Sequence, residues 1–281
     1  MEYTINIKGR LMDLSTPQVM GILNVTPDSF YSGSRKQTEM EIAQRANQII
    51  EEGGSIIDVG AFSTRPGADE VSEEEEGRRL KFALDIVRRE QPDAAVSVDT
   101  YRPTLARKCI EEWGADIIND VSEGGITGIV NVPLEQRQEE YPEMFRVVGE
   151  LKVPYILMSV QPTLAKMMKG FAREVQQLRD LGAKDIILDP GFCFGKNLIQ
   201  NYQIYDEMEK LNVLELPVLV GISRKTMIYK LLGGDATTSI NGTTVLDTIA
   251  LMKGASILRV HDVKEAAEAV KIVEAMKEGR V

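Results

Sequence analysis

The stretch Asp185-Ile-Ile-Leu-Asp189-Pro-Gly-Phe-Cys-Phe-Gly-Lys-Asn197 is an apolar run that stops at a carboxylate and turns at once into a loop containing two glycines. A buried strand that ends in a polar group beside a tight loop is built to hold something at its tip. Working outward, Val19-Met-Gly-Ile-Leu-Asn24, Ala95-Val-Ser-Val-Asp99, Asp116-Ile-Ile-Asn-Asp120 and Ser256-Ile-Leu-Arg-Val-His261 repeat the pattern. One such strand is simply leaving the core; five of them mark a shared face.

Between these runs lie helical stretches. Strands expected at Val19–Val25, Ser55–Val59, Ala95–Asp99, Asp116–Asn119, Tyr155–Met158, Asp185–Asp189, Val218–Ile222 and Ser256–Val260 alternate with helices near Thr38–Glu52, Ser72–Arg89, Pro103–Trp113, Lys166–Leu181, Asn197–Leu211, Thr243–Lys253 and Val263–Lys277. Alternation of this kind requires a parallel sheet, and eight units close a (β/α)8 TIM barrel. Helix-ending glycines recur before strands, in Gly53-Gly-Ser-Ile-Ile, Gly114-Ala-Asp-Ile-Ile, Gly182-Ala-Lys-Asp-Ile and Gly254-Ala-Ser-Ile-Leu. An open doubly wound sheet uses the same local chemistry and stands as the alternative, although no glycine-rich dinucleotide fingerprint follows the first strand. Tyr3 to Leu14 reads as a β-hairpin about Lys8-Gly9-Arg10 that covers the bottom of the barrel. Residues 1–281 are expected to form a single domain. The acidic run Ser72-Glu-Glu-Glu-Glu76 reads as an N-capped, solvated first helical turn, and Gly124 to Tyr141 as a surface excursion.

Composition narrows the function. A formal charge of −10 opposes non-specific binding to nucleic acid or anionic membranes, so basic residues at strand tips serve a local, small anionic ligand. No apolar run reaches the roughly 20 residues of a membrane helix, and the N-terminus lacks a signal-peptide pattern, so a cytoplasmic protein is expected. Cys109 and Cys193 are too few for a disulfide scaffold. With one histidine and two cysteines, neither a Cys/His metal set nor a Ser-His-Asp triad can be built.

In a barrel the chemistry lies just past the strand C-termini. Asn24 offers an amide oxygen to a hard cation and an amide donor to a phosphate. Ser63-Thr-Arg-Pro-Gly67 places a guanidinium on a stiff turn where it can clamp an anion. Asp99, Asn119 and Asp189 supply acceptors and one amide, which suit a heterocycle edge rich in N–H groups better than a metal. Lys225, near a helix N-terminus in Ser223-Arg-Lys225, can serve a carbonyl oxygen or a carboxylate. Arg259 and His261 alternate along the last strand and so point to one face, converging on a single anion.

Taken together, Gly21-Ile-Leu-Asn-Val-Thr-Pro-Asp-Ser-Phe30, Ser63-Thr-Arg-Pro-Gly-Ala68, Ser97-Val-Asp-Thr100, Ile118-Asn-Asp-Val121, Asp189-Pro-Gly-Phe192, Gly221-Ile-Ser-Arg-Lys225 and Arg259-Val-His-Asp-Val263 resemble the dihydropteroate synthases. The resemblance implies a (β/α)8 barrel, a homodimer, and Mg²⁺-dependent condensation of 6-hydroxymethyl-7,8-dihydropterin diphosphate with 4-aminobenzoate, releasing pyrophosphate. It implies that Asp99, Asn119, Asp189 and Lys225 hold the pterin, with Met158 and Phe194 also against substrate. Asn24, Arg259 and His261 would take the diphosphate, Asn24 also meeting Mg²⁺, and Asp99 would steady a cationic pterin methylene. Phe30, Thr64, Arg65 and Pro66 would complete the aminobenzoate pocket.

Three positions depart from the family pattern: Ser32 stands where Asp is common, Ala61-Phe62 where Gly-Glu is common, and Met158-Ser159 where Met-His is common. The stretch after Gly125 is also longer than expected. Two other readings stay open at this stage. A corrinoid-linked, pterin-binding methyltransferase barrel has no use for a diphosphate clamp, and a non-enzymatic pterin-binding paralogue rests on the Ser32 departure in the loop after Asn24 alone.

Overall fold

The computed structural model describes residues 3–25, 35–62, 71–124 and 141–279. Two antiparallel strands come first, β1 (Thr4–Ile7) and β2 (Arg10–Asp13). Then strands and helices alternate: β3 (Gln18–Asn24), α1 (Arg35–Glu51), β4 (Ile56–Gly60), α2 (Glu73–Glu90), β5 (Ala95–Asp99), α3 (Pro103–Glu111), β6 (Ile117–Asp120) and α4 (Glu143–Leu151). The second half adds β7 (Tyr155–Met158), α5 (Leu164–Asp180), β8 (Ile186–Asp189), α6 (Leu198–Asp206), β9 (Leu219–Val220), α7 (Thr226–Leu232), α8 (Ile240–Met252), β10 (Ile257–Val260) and α9 (Val263–Glu278). The eight strands from β3 onward run parallel in the order β8-β7-β6-β5-β4-β3-β10-β9, and a bridge between Leu188 and Val218 brings the two ends together. The barrel is therefore nearly closed, and the open-sheet alternative is wrong.

Local chemistry explains the punctuation. Gly53, Gly114, Gly182 and Gly254 all have φ between +83° and +99°, so each helix is turned toward the next strand by a residue without a Cβ. Asn197 and Gln200 form a reciprocal cap at the start of α6. Helix α4 was not foreseen, because a left-handed Lys152 (φ 55°) ends it where the other connections use glycine. Helix α6 ends earlier than the expected Asn197–Leu211, at Asp206, and the chain continues as a 3-10 helix over Met208–Leu214.

The barrel interior has two storeys. The inward residues near the strand N-termini are Met20, Ile56, Ala95, Ile117, Ile156, Ile187, Leu219 and Ile257, and they form one cluster with Ile5, Ile7 and Leu14 of the hairpin segment. Fully burying a side chain of this size is worth about 1.5–3 kcal/mol, so this apolar floor is a main anchor of the fold. The hairpin plugs it as expected. Lys8 pairs with Asp116 at 2.8 Å, and the Asn6 N–H donates to Asp185 at 3.3 Å, tying the plug to the barrel bottom. The upper storey, two residues further along the strands, is polar: Asp58, Ser97, Asn119 and Arg259 replace the aliphatics.

The acidic turn at the start of α2 is only partly as read. Ser72 accepts from the Glu75 N–H at 3.2 Å, and Glu73 and Glu74 are exposed. Glu76 is instead fully buried, accepting from Thr100 Oγ1 at 2.6 Å and lying 3.2 Å from Arg102 Nε. Burial raises its pKa, and Thr100 and Arg102 oppose the rise. The turn rotates one of its four carboxylates toward the sheet, which a run of like charges conceals.

Candidate active site

The polar storey is organised by charge. Arg259, from β10, donates through Nε to Asp58 Oδ2 at 2.6 Å and through Nη2 to Asp99 Oδ2 at 2.7 Å. One guanidinium thus serves two carboxylates, Asp58 fully buried and Asp99 partly exposed, and cannot neutralise both. Burial raises Asp99 to about 7, Arg259 opposes the rise, and Asp58 adds to it. Asn119, from β6, donates its amide to Asp58 at 3.2 and 3.4 Å. Asp99 Oδ1, Asn119 Oδ1 and Ser97 Oγ are buried without a hydrogen-bond partner among the described residues. Unpaired acceptors at the closed end of a barrel mouth fit a ligand that brings N–H groups.

Lys225 and Asp189 stand on the other side. Lys225 Nζ donates to the Phe192 carbonyl at 2.7 Å and lies 4.7 Å from the centre of the Phe194 ring. Burial lowers its pKa, while Asp189 acts in the opposite direction. Asp189 accepts from the Gly191 N–H at 2.8 Å, and burial outweighs Lys225 in raising its pKa. Met158, Val121 and Val160 form a small apolar cluster against which Phe194 and Phe62 pack. Phe62, standing where the family commonly has Glu, meets Tyr101 edge-on with ring centres 5.0 Å apart.

His261 is anchored by Ser223. Ser223 Oγ accepts from the His261 backbone N–H at 3.1 Å and lies 3.0 Å from Nδ1, so the hydroxyl holds both the backbone and the ring of His261. Burial, with Arg259 and Arg224 nearby, lowers the pKa to about 4 and keeps the ring neutral. Arg45 donates to the His261 carbonyl at 2.7 Å, and Arg224 holds Asp262 through Nε at 2.9 Å and Nη2 at 2.5 Å. The expected convergence of Arg259 and His261 is thus qualified, since Arg259 Nε and Nη2 are engaged by carboxylates inside the barrel.

Asn24 is exposed at the tip of β3, opposite Gly60 and then Asp99 in strand register. A Cβ on Gly60 would stand 3.1 Å from Asn24 Oδ1 and 3.5 Å from Asp99 Cβ, so the glycine leaves the space between them open. No group of three His, Cys, Asp or Glu suited to a metal occurs among the described residues. A single amide oxygen beside open space fits Mg²⁺, which keeps water and substrate oxygens as most of its ligands. Phe30, Thr64, Arg65 and Pro66, with Ser32, lie outside the described residues.

Two residues at the site escaped the sequence reading. Asp58 sits mid-strand in Ile56-Ile-Asp58-Val-Gly60, and its signal was a charge interrupting a run that is buried throughout. Lys196 Nζ donates to the carbonyls of Ser159, Gly191 and Phe194 at 2.8, 3.0 and 3.0 Å, pinning the loop after β8 to the end of β7. Burial lowers its pKa to about 8.

Residues 20–261 match the family described as pterin binding enzyme. The chain is 38% identical to the dihydropteroate synthase of Escherichia coli strain K12 over 283 residues, covering 95% of this chain and 94% of that protein. Among solved structures, a Xanthomonas albilineans dihydropteroate synthase with 4-aminobenzoic acid is similar at TM-score 0.86 and 31% identity over 99% of both chains. A Yersinia pestis dihydropteroate synthase with a pterine-sulfa conjugate is similar at TM-score 0.81 and 34% identity, again over 99% of both. A barrel with an acceptor-rich pocket beside cationic strand tips, alike over its whole length to these enzymes, belongs to the dihydropteroate synthase family.

Proposed function

We propose that the polar upper storey of the barrel is the pterin end of a site at which this chain carries out its family's reaction. That reaction joins 6-hydroxymethyl-7,8-dihydropterin diphosphate to 4-aminobenzoate, giving 7,8-dihydropteroate and pyrophosphate. The observation that carries the assignment of the pocket is the set of buried, unpaired acceptors on Asp99, Asn119 and Ser97. A pterin edge, with its amine and ring N–H groups, completes them, while Lys225 supplies a donor for the ring carbonyl and Met158 and Phe194 cover the ring faces.

The diphosphate then lies toward Asn24, the neutral ring of His261 and the remaining Nη1 donors of Arg259. Mg²⁺ held at Asn24 would neutralise diphosphate charge and so improve the leaving group. As the C–O bond breaks, positive charge grows on the pterin methylene. Asp99, at the meeting point of β5 and the pocket, is placed to stabilise it when ionised. The aminobenzoate nitrogen attacks that carbon and loses a proton, with Phe30, Thr64, Arg65 and Pro66 assigned to its pocket by resemblance.

A homodimer is the state we assign in solution. Leu231, Val245, Ile249, Met252, Ile272 and Met276 are exposed on α7, α8 and α9, with Val245, Ile249 and Met252 on one face of α8. Charged substitutions at Val245 and Met252 should yield a monomer by light scattering. No described helix is long and apolar enough to cross a membrane.

The decisive assay measures pyrophosphate release from pterin diphosphate with and without 4-aminobenzoate and Mg²⁺. Release that depends on the aminobenzoate supports the reading, and pterin binding without release would leave only a binding protein.

A further inference from the structure

Asp58 is completely buried in the middle of β4 and lies midway along the arc β10-β3-β4-β5-β6. From two strands away on one side it takes Arg259 Nε at 2.6 Å, and from two strands away on the other it takes the Asn119 amide at 3.2 Å. We propose that Asp58 is a positioning residue that fixes which way the Asn119 amide faces and where Arg259 lies, and so prepares the pterin pocket without touching substrate.

Seated against the Arg259 guanidinium, the Asp58 carboxylate offers only lone pairs to its neighbours, so it tolerates the N–H₂ end of Asn119 and repels the oxygen end. Asn119 Oδ1 is thereby left on the far side of the amide, buried and without a partner among the described residues. Absent Asp58, the two ends of the amide would be nearly interchangeable, and half of the orientations would present a donor to a pterin donor. The same carboxylate also engages Arg259 Nε, so the guanidinium meets Asp99 through Nη2 and leaves Nη1 for an anion. Asp58 therefore links a heterocycle contact to an anion contact through a single buried group.

This inference rests on the pterin reading above, and the test separates the two. Fluorescence titration measures the affinity of 6-hydroxymethylpterin, which lacks the diphosphate, for wild type, Asp58→Asn, Asn119→Ala and the double variant, with thermal melting as the check on folding. Asp58→Asn is expected to weaken binding about tenfold or more, the loss of one partner to a buried polar group. Asn119→Ala should cost a similar factor, and the double variant should be no worse than the weaker single variant, because both remove one interaction. Multiplied single effects, or wild-type affinity in a folded Asp58→Asn protein, would overturn the proposal. If Asp58→Asn does not fold, Asn119→Asp probes the same contact: it keeps an acceptor but has no N–H₂ for Asp58, so it should bind poorly, and wild-type affinity would count against us. A wild-type protein that binds no pterin would overturn the pterin reading itself, whereas binding by wild type and Asp58→Asn alike removes only the role of Asp58.

Discussion

Arg259 reaches Asp99 at 2.7 Å, yet the Asp99 carboxyl stands at about 7, because burial outweighs the guanidinium and the neighbouring Asp58 adds to the rise. The folded protein holds a proton there that the unfolded chain has already released. Stability from this group is therefore full below about pH 4 and is lost as pH rises through about 7. Asp99→Asn removes that loss, so the substrate-free variant should melt at least about 2 °C above wild type at pH 8 and show no gain at pH 4. Its turnover should fall by about a hundredfold or more, because the charge opposite the methylene is gone. Scanning calorimetry at the two pH values and steady-state rates check both halves.

His261 runs the other way. Its folded pKa is lowered to about 4, so the ring contributes fully above the unfolded value of about 6.5, and the contribution is lost as pH falls toward 4. His261→Gln should flatten this part of the stability profile between pH 6.5 and 4 while leaving the profile above pH 7 parallel to wild type. Identical slopes in urea unfolding would show that the imidazole is not held neutral.

The gap at Gly60 gives a steric test of the anion end. Gly60→Ala places a methyl 3.1 Å from Asn24 Oδ1, closer than the amide can keep without moving. Magnesium-dependent pyrophosphate affinity should fall about tenfold, approaching that of Asn24→Ala, which removes the oxygen itself. Calorimetric titration with and without Mg²⁺ distinguishes this from a general loss of anion binding, which would appear in both.

Cys193 carries backbone strain. Its φ of 67° lies in the left-handed region, where a side chain costs about 1–2 kcal/mol. Replacing it by glycine should stabilise the protein by about 1 kcal/mol in denaturant unfolding, since the N–H bond to Asn201 at 2.7 Å is a main-chain contact that the change preserves. Turnover within twofold of wild type is expected.

The barrel itself was legible because its strands end alike and its helices stop at glycine. The same holds for Asp99, Asn119 and Asp189, which stand at or next to the last position of an apolar run, where polarity is conspicuous. Asp58 and Glu76 were not legible, for a common reason. Each is a charge whose partners come from distant parts of the chain, 201 residues away for Arg259 in one case and 24 for Thr100 in the other, and local pattern says nothing about such partners. Periodicity correctly put Arg259 and His261 on alternate positions of one strand. It could not show that the interior already held two carboxylates for the arginine to meet.

The hairpin at the barrel bottom acts as a gauge of strand register. Inward positions recur every two residues, so a strand displaced by two would drop Asp58 or Asn119 among the isoleucines, and one displaced by one would turn it outward altogether. Ile5 and Ile7 can seat only on a complete ring of apolar side chains, and the bonds from Asn6 to Asp185 and from Lys8 to Asp116 close only when the starts of β6 and β8 are level. A misaligned barrel would thus be left unsealed at the end opposite the chemistry, so that docking of the first dozen residues certifies the placement of charges on the far side of the molecule.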